Sequence, residues 1–450
     1  MMKRSVFIWK NTFCRPQSHK AYQDCVRFEA LEGSEKQKMS FEKRRALVEY
    51  AYAHCPFYRE YYDIKGFHPS ELRTETDWGK VPVLEKWMIR KHSEKMFSNE
   101  ADRKRLSPSK TGGSTGKPLV VYKSKDVHFE VLAWRALGWY GVAPWMNEAI
   151  VHRRVPVKFV EKLINQAMWW PTKRAYLSAT KITDEELSRF INEINSKKIR
   201  WVVGYCGSLE YVADYILKHK IDISTVKLVW STSSPLTKIV REKLEKAFGC
   251  SVMDQYGCCE MGNIAAQKIK ENHLTVNNDY VWVDIVDADG KSVKKQELGD
   301  VCITDLNTFD FPLIKYRLGD RTRLLENCME SADGFQKIAF VQGRTSDMIY
   351  LPNGDVLDGS FLTTICDNYS AYISCYQIYQ SPDYNITFKV VPKGVGQSYI
   401  DIINKIVKDF QSLVKNVIEI KIIVTDSIDD FAGKRKFIIS DVALSKLHKK

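Results

Sequence analysis

The sequence lacks any apolar run of about 18 residues, the length that a membrane-spanning helix requires. It also lacks a Cys-x-x-Cys pair: the 11 cysteines are scattered, and only Cys258 and Cys259 are adjacent. The first absence argues against a transmembrane protein, and the second leaves little support for a structural zinc site. The apolar run near the amino terminus ends at Lys10, which is too short for a secretory signal. We therefore expect a cytoplasmic protein with reduced thiols.

Acidic residues are fewer than basic ones, since 55 Asp and Glu stand against 68 Lys and Arg, giving a formal net charge of +13. This excess favours an anionic partner, which is a nucleotide, an acidic metabolite or the anionic face of a membrane. A generally basic surface is the alternative. Because no RNA-binding, zinc-finger or heptad signature accompanies the charge, we expect no nucleic-acid partner.

Residues 110–118 read Lys-Thr-Gly-Gly-Ser-Thr-Gly-Lys-Pro and predict a phosphate-binding loop. Glycines let backbone amides approach phosphate oxygens, hydroxyls add donors, and lysine adds positive charge. The segment is not a Walker A loop, because that pattern needs Gly in place of Thr111 and Ser or Thr in place of Pro118. Residues 119–122 read as a strand, so the loop is expected between strands. A solvated Gly/Ser turn is the alternative.

Alternating helix and strand patterns between residues 183 and 250 predict a parallel, layered α/β sheet. The predicted helices cover 183–196, 208–219 and 235–248, the predicted strands cover 199–204 and 226–231, and further helices are expected within 40–65 and 126–141. From residue 279 short strands predict a β-rich subdomain. The carboxyl-terminal part predicts a small α+β domain, with strands 372–380, 385–391 and 418–425 and an amphipathic helix over 402–414. We therefore predict a large α/β domain over 1–345 and a small α+β domain over 346–450.

Four further segments carry chemically suitable side chains. Glu260, after a predicted strand, is a candidate Mg²⁺ ligand, and the nearby Tyr256 offers a ring to stack on a base. Asp320 follows a glycine in a turn, where its carboxylate suits two ribose hydroxyls. Arg344 offers a guanidinium to phosphate or ribose, and Lys434 lies in the predicted small domain. Each of these segments alone also fits a solvated turn.

In their order and spacing these segments resemble the motifs of the adenylate-forming superfamily, which includes acyl-CoA synthetases, peptide adenylation domains and firefly luciferase. The matching segments are 111–118, Tyr-Gly-x-x-Glu at 256–260, Tyr-Arg-x-Gly-Asp at 316–320, Gly-Arg-x-x-Asp at 343–347 and Gly-Lys at 433–434. Residues 51–59 and 78–84 further resemble the phenylacetate–CoA ligase branch and its CapK-like relatives in capsular polysaccharide biosynthesis.

The resemblance implies an AMP-forming ligase that uses ATP and Mg²⁺ to activate a carboxylic acid as an acyl-adenylate. The acyl group would then pass to coenzyme A or, alternatively, to an amine or hydroxyl of a glycan intermediate. It also implies a mobile small domain on a hinge near Ser346 and Asp347. A non-catalytic nucleotide-binding relative is a second alternative, because positions 234, 259 and 346 depart from the family pattern.

The resemblance also implies roles for individual residues. Lys434 would be catalytic, Glu260 would bind Mg²⁺, Tyr256 would lie along adenine, Asp320 would bind ribose and Arg344 would assist nearby. The residues implied to cradle the phosphates are Thr111, Gly112, Gly113, Ser114, Thr115, Gly116 and Lys117. The candidates for the acid pocket, each of which also fits core packing, are Trp134, Tyr140, Tyr205 and Ser233.

Overall fold

A computed structural model of the chain describes most of the sequence. The described residues are 2–110, 119–156, 158–180, 182–327, 330–341, 343–344, 348–358, 362, 365–366, 368–369, 371–428 and 436–448. The predicted phosphate loop, the predicted hinge at Ser346 and Asp347, and Lys434 lie outside these ranges.

The α-helices bounded within the described residues are numbered in chain order. They are α1 (Met2–Cys14), α2 (Pro16–Ala30), α3 (Gly33–His54), α4 (Pro56–Lys65), α5 (Lys86–Met96), α6 (Glu130–Gly138), α7 (Phe159–Trp169), α8 (Asp184–Ser196), α9 (Cys206–His219), α10 (Lys238–Phe248), α11 (Gln397–Leu413) and α12 (Asp441–His448). Within these ranges no helix combines the length and the apolar character needed to cross a bilayer.

The strands of the same ranges are numbered in the same way. They are β1 (Leu106–Lys110), β2 (Val120–Ser124), β3 (Glu148–His152), β4 (Arg174–Ser178), β5 (Trp201–Tyr205), β6 (Leu228–Thr232), β7 (Ser251–Cys258), β8 (Gly262–Gln267), β9 (Leu274–Val276), β10 (Val281–Val286), β11 (Leu298–Asp305), β12 (Tyr316–Glu326), β13 (Lys337–Ile338), β14 (Gly343–Arg344), β15 (Met348–Tyr350), β16 (Val356–Asp358), β17 (Ile373–Gln380), β18 (Ile386–Pro392), β19 (Ile420–Val424) and β20 (Ile438–Ser440).

The first of two compact units consists of Met1–Pro144 and Gln255–Val341. Its main sheet is antiparallel, with the strand order β10-β11-β12-β13-β9-β8 and then the last residues of β7. Helices α3 and α4 contribute core side chains; among them the buried Tyr58 donates its hydroxyl to the carbonyl of Pro312 at 2.8 Å. Strands β1 and β2 form a separate antiparallel pair.

Buried polar contacts also connect the two stretches of the first unit. The guanidinium of Arg135 on α6 donates to both carboxylate oxygens of Asp279, at 2.9 and 2.5 Å. The hydroxyl of Ser40 on α3 donates to the carbonyl of Asn278 at 2.6 Å. Since an unpaired buried charge is strongly destabilising, the helices of the first stretch depend on strand connections of the second.

The second unit consists of Trp145–Asp254 and Gln342–Lys450. Its parallel strands follow the order β6-β5-β3-β4, and the first residues of β7 pair with β6. A four-stranded sheet with the order β19-β18-β17-β20 lies in the second stretch. One cluster of buried side chains takes residues from both stretches, including Phe248 and Phe388.

These elements confirm the predicted α/β class. Helices α8, α9 and α10 and strands β5 and β6 begin and end within a few residues of their predicted positions, and α11 with β17, β18 and β19 confirms the predicted α+β elements. The helical stretch predicted over 40–65 is two helices, because Pro56 begins α4 and its ring nitrogen has no N–H to continue α3. The domain division between residues 345 and 346 stays a prediction.

Candidate active site

Tyr256 and Glu260 lie on the β7–β8 hairpin of the first unit. Tyr256 is within β7, and Glu260 is in the turn between Cys258 and Gly262, which pair across the hairpin. Gly257 is required by close packing, because a Cβ added there would lie 2.1 Å from the carbonyl oxygen of Gly262. The Tyr-Gly pair therefore sets the close strand approach in the hairpin that carries both side chains.

Both hairpin residues have buried partners on β12. The hydroxyl of Tyr256 donates to Oδ2 of Asp320 at 2.9 Å, and the hydroxyl of Tyr316 donates to Oε1 of Glu260 at 3.2 Å. Burial raises the pKa of Tyr316, and the Glu260 carboxylate raises it further, so this phenol remains a donor at neutral pH. We call these four residues, together with Cys258, the carboxylate cluster.

The thiol of Cys258 lies within electrostatic reach of both carboxylates. Burial raises the pKa of Cys258 well above its usual value, and the charges of Glu260 and Asp320 raise it further, while Lys123 acts in the opposite direction. Lys123 belongs to β2, the strand that follows the predicted phosphate loop. The cluster therefore combines two acidic side chains with a protonated thiol, and has a cation nearby.

The described strands hold both ends of the predicted phosphate loop. Lys110 at the end of β1 pairs with Val120 at the start of β2. The hydroxyl of Ser109 donates to the carbonyl of Cys259 at 2.7 Å, which fixes the loop entrance beside the β7–β8 turn. Residues 111–117 are outside the described ranges, so their phosphate contacts stay predictions.

The motif on β12 contains two charged side chains, Arg317 and Asp320, with different partners. The guanidinium of Arg317 donates through Nε to Glu85 at 2.9 Å and through Nη1 to Asp300 at 2.5 Å, which fixes the strand in place. Gly319 has φ +82°, a conformation that favours glycine, immediately before Asp320. The spacing of the motif therefore serves to position the Asp320 carboxylate.

In the second unit, the carboxyl ends of four parallel strands carry a row of polar side chains. Ser178 of β4 is opposite His152 of β3, and Tyr205 of β5 is opposite Thr232 of β6. Tyr205 Oη lies 2.5 Å from His152 Nε2. Because Nδ1 of His152 accepts the backbone N–H of Arg154, a neutral imidazole carries its proton on Nε2 and donates to Tyr205. We call Ser178, His152, Tyr205 and Thr232 the strand-end row.

Ser233 directly follows the strand-end row. Its backbone has φ +81°, a left-handed conformation that costs a non-glycine residue about 1–2 kcal/mol. Its Oγ is buried and has no hydrogen-bond partner within the part of the chain that the structure describes. Strain and unsatisfied polar atoms both concentrate at ligand sites, and the carboxyl ends of parallel strands are where open α/β sheets bind ligands.

Two other acid-pocket candidates lie in the first unit. The ring of Trp134 on α6 makes edge contacts with Phe7 and Tyr22, at centroid distances of 5.1 and 5.5 Å. The hydroxyl of Tyr140 donates to the carbonyl of Gln267 at 3.1 Å. These contacts assign packing and hydrogen-bonding roles to both residues, and their binding of an acid stays a prediction.

Arg344 ends the short strand β14, which fixes only its backbone position. Its action on phosphate or ribose stays a prediction, as does the catalytic role of Lys434, which lies outside the described residues.

Four residues of these sites were not predicted from the sequence: His152, Arg153, Tyr316 and Ser109. A signal for the first two was present, since the short strand β3 ends at His152 and is followed at once by Arg153 and Arg154. Arg153 Nε donates to Tyr205 Oη at 3.4 Å. The contacts of Tyr316 and Ser109 join residues far apart in sequence and left no local signal.

Comparison with solved structures identifies the fold. The chain aligns with the crystal structure of 2-hydroxyisobutyryl-CoA ligase in the postadenylation state with R3-HIB-AMP, at a TM-score of 0.72 and 17% identity, over 94% of this chain and 93% of that one. The fold is therefore that of the adenylate-forming ligases, as the motifs predicted.

The chain is similar in sequence to two curated proteins. CapK of Staphylococcus aureus is 27% identical over 335 residues, which are 67% of this chain and 70% of CapK. Phenylacetate–coenzyme A ligase of Escherichia coli K12 is 24% identical over 328 residues, which are 70% of this chain and 73% of that ligase. No protein-family model matches the chain. The chain is a homologue of CapK and of the phenylacetate–coenzyme A ligases.

Proposed function

We propose that this protein is an AMP-forming carboxylate ligase that activates a small carboxylic acid with ATP and transfers the acyl group to coenzyme A. The observation that carries this proposal is the carboxylate cluster, in which Tyr256 bonds Asp320 and Tyr316 bonds Glu260 beside the entrance of the phosphate loop. The homology to phenylacetate–coenzyme A ligases supports the same chemistry.

The nucleotide would engage residues that are already held in place. The carboxylate of Asp320 would accept the ribose hydroxyls in charge-assisted hydrogen bonds, of the kind that it already accepts from Tyr256. The ring of Tyr256 would then lie along adenine. Residues 111–117 would bind the β- and γ-phosphates, since their amides, hydroxyls and Lys117 suit anionic oxygens.

In the first step, an oxygen of the substrate carboxylate forms a bond to the α-phosphorus, and the bond between that phosphorus and the bridging oxygen to the β-phosphate breaks. Pyrophosphate leaves with the electron pair, and an acyl-adenylate remains. Lys434 would neutralise the negative charge that accumulates on the α-phosphate oxygens. In the second step, the coenzyme A thiolate attacks the acyl carbonyl carbon, and AMP leaves.

Glu260 fits the role of the Mg²⁺ ligand. Mg²⁺ is commonly held by one or two carboxylates together with substrate phosphates, and Glu260 is a buried carboxylate beside the phosphate-loop entrance. The hydrogen bond from Tyr316 orients one carboxylate oxygen, as a supporting contact to a metal ligand does. The ion would supply charge neutralisation on the phosphates.

The acid would meet the strand-end row and Ser233, and a polar row of this kind suits an acid with a hydrogen-bonding substituent. An amine or hydroxyl of a glycan intermediate is the alternative acceptor, which the likeness to CapK and the basic charge favour.

The proposed location is the cytoplasm, and no nucleic-acid partner is proposed.

The test is ATP–pyrophosphate exchange with Mg²⁺ and pooled carboxylic acids, followed by acceptor-dependent AMP release with the active acid. Exchange with one pool and AMP release on adding coenzyme A are expected. AMP release with a glycan amine or hydroxyl instead would establish the alternative acceptor. ATP binding without exchange in any pool would favour the non-catalytic alternative.

Lys434→Ala tests the catalytic assignment in the same assay. Removing an electrostatic contact of the transition state is expected to lower exchange about 10²- to 10³-fold. Lys436→Ala is the matched control, because Lys436 is an exposed lysine two positions away. Equal exchange rates in the two variants would contradict the assignment.

A further inference from the structure

Helix α7 of the second unit turns its apolar side toward solvent. Surface helices normally direct their apolar stripe at the core. Here the apolar residues at spacings of three and four face outward, and none of the side chains at 160–169 is buried. The large ones, each between 52% and 62% exposed, are Val160, Leu163, Ile164, Met168 and the following Trp170.

The opposite side of α7 contacts the protein through polar groups. Tyr176 of the edge strand β4 donates its hydroxyl to Asn165 at 2.9 Å. The guanidinium of Arg174 lies 3.5 Å from the ring centroid of Trp169. Gln166 donates to a carbonyl at 3.3 Å. These contacts fix the helix on the edge of the sheet, so its apolar side is held toward solvent.

The charged residues of the segment that carries this apolar side are mainly basic. The basic residues between 153 and 173 are Arg153, Arg154, Lys158, Lys162 and Lys173. The one acid of that segment is Glu161, which accepts the backbone N–H of Lys158 at the start of the helix. Exposed apolar patches mark interaction sites, and an apolar stripe with tryptophan and flanking lysines is the pattern of helices that lie in a membrane interface.

We propose that α7 docks this protein on an anionic lipid bilayer. The apolar side would enter the boundary between headgroups and acyl chains, and the flanking lysines would contact acidic headgroups. The complementary charge selects this partner over a second copy of the chain, because two copies meeting at this helix would bring Lys158 and Lys162 of each toward one another. This proposal is independent of the ligase activity.

The first experiment is flotation of the full-length protein with vesicles of phosphatidylcholine, alone or with phosphatidylglycerol. Binding is expected with the anionic vesicles and should fall as salt is raised. The double variant Leu163→Glu and Ile164→Glu is expected to reduce vesicle partitioning by about tenfold or more, because two buried apolar contacts are replaced by repelled charges. Equal binding to both vesicle types would overturn the anionic assignment.

The matched control is Val395→Glu with Ile400→Glu, which removes two exposed apolar side chains of the same unit and adds the same charge. This variant should bind vesicles like the parent, and all variants should keep the parental melting temperature because the replaced side chains are exposed. Equal loss in the control would overturn the role of α7.

A second pair, Lys158→Gln with Lys162→Gln, tests the electrostatic part without altering the apolar side. It should weaken binding to anionic vesicles and reduce its salt dependence. Two further outcomes would overturn the proposal: absence of vesicle binding by the parent protein, or a dimer in sedimentation analysis that only the α7 glutamates dissociate. Loss of vesicle binding confined to Trp9→Glu with Phe13→Glu would assign docking to α1 instead.

Discussion

The carboxylate cluster of the first unit and the strand-end region of the second differ in how well their polar atoms are paired. In the cluster, both acidic side chains already accept hydrogen bonds from phenols. In the strand-end region, Tyr205 and His152 are paired, whereas Ser233 combines a left-handed backbone with a buried hydroxyl that finds no partner among the described residues. The paired carboxylates are oriented before a ligand binds, whereas a buried hydroxyl without a partner among the described residues marks a position where a ligand would supply one.

The strongest test of this difference is Glu260→Gln. If Glu260 binds the Mg²⁺ that contacts the ATP phosphates, loss of its charge should lower the rate of pyrophosphate exchange about 10²- to 10³-fold. It should also raise the Mg²⁺ concentration needed for half-maximal exchange. Tyr316→Phe, which removes only the supporting hydroxyl, should cost about tenfold or less. Full exchange by Glu260→Gln would remove the metal role.

Asp320→Asn should weaken the binding of ATP and leave the binding of the acid unchanged. Losing the charged acceptor for ribose is expected to raise KM for ATP roughly 10- to 100-fold, because a hydrogen bond to a charged group contributes about 1.5–3 kcal/mol. KM for the acid should change little. The comparison between the two regions would fail if both KM values rose together.

Tyr205→Phe should weaken the binding of the acid and leave the binding of ATP unchanged. The ring stays in place while the hydroxyl that contacts His152 is lost, so KM for the acid should rise about 2- to 10-fold with KM for ATP unchanged. Tyr176→Phe is a control, since that hydroxyl contacts Asn165 on α7. A rise in KM for ATP alone would assign Tyr205 to the nucleotide.

Among these substitutions Ser233→Gly should have the smallest effect, and the property that changes should be the stability of the fold. Glycine adopts the positive φ without strain, so the free energy of unfolding should rise by about 0.5–1 kcal/mol, whereas Ser233→Ala retains the strain. Urea denaturation of both variants measures the difference. If Gly and Ala gave equal stabilities, the backbone at this position would carry no strain.

Local signals predicted much of this architecture. Thr183 caps the start of α8 with its hydroxyl, and Gly249 ends α10 in a left-handed conformation, so both boundaries were close to the predictions. Helix α7 and its neighbouring strand β4 were missed, because an apolar stripe that faces outward gives no sign of which side meets the protein.

Site residues were predictable from the sequence where they belong to a short local motif. Glu260 and Asp320 are the last residues of two motifs that are visible in the sequence, and the structure brings both carboxylates close to Cys258. The bond from Tyr316 to Glu260 depends on the pairing of distant strands, so no window of the sequence contains it. The strand-end row was partly predictable: Tyr205 was identified, but β3 and therefore His152 were not.

The composition of the first unit from two distant stretches has a consequence for synthesis on the ribosome. Helices α1 to α6 end before residue 144, yet Asp279 and Pro312, which accept hydrogen bonds from Arg135 and Tyr58, are synthesised much later. At typical elongation rates of 5–20 residues per second, the 197 residues between positions 144 and 341 take roughly 10–40 s. During that interval the nascent helices expose Arg135 and an apolar face that the folded unit buries, so we expect ribosome-associated chaperones to bind them.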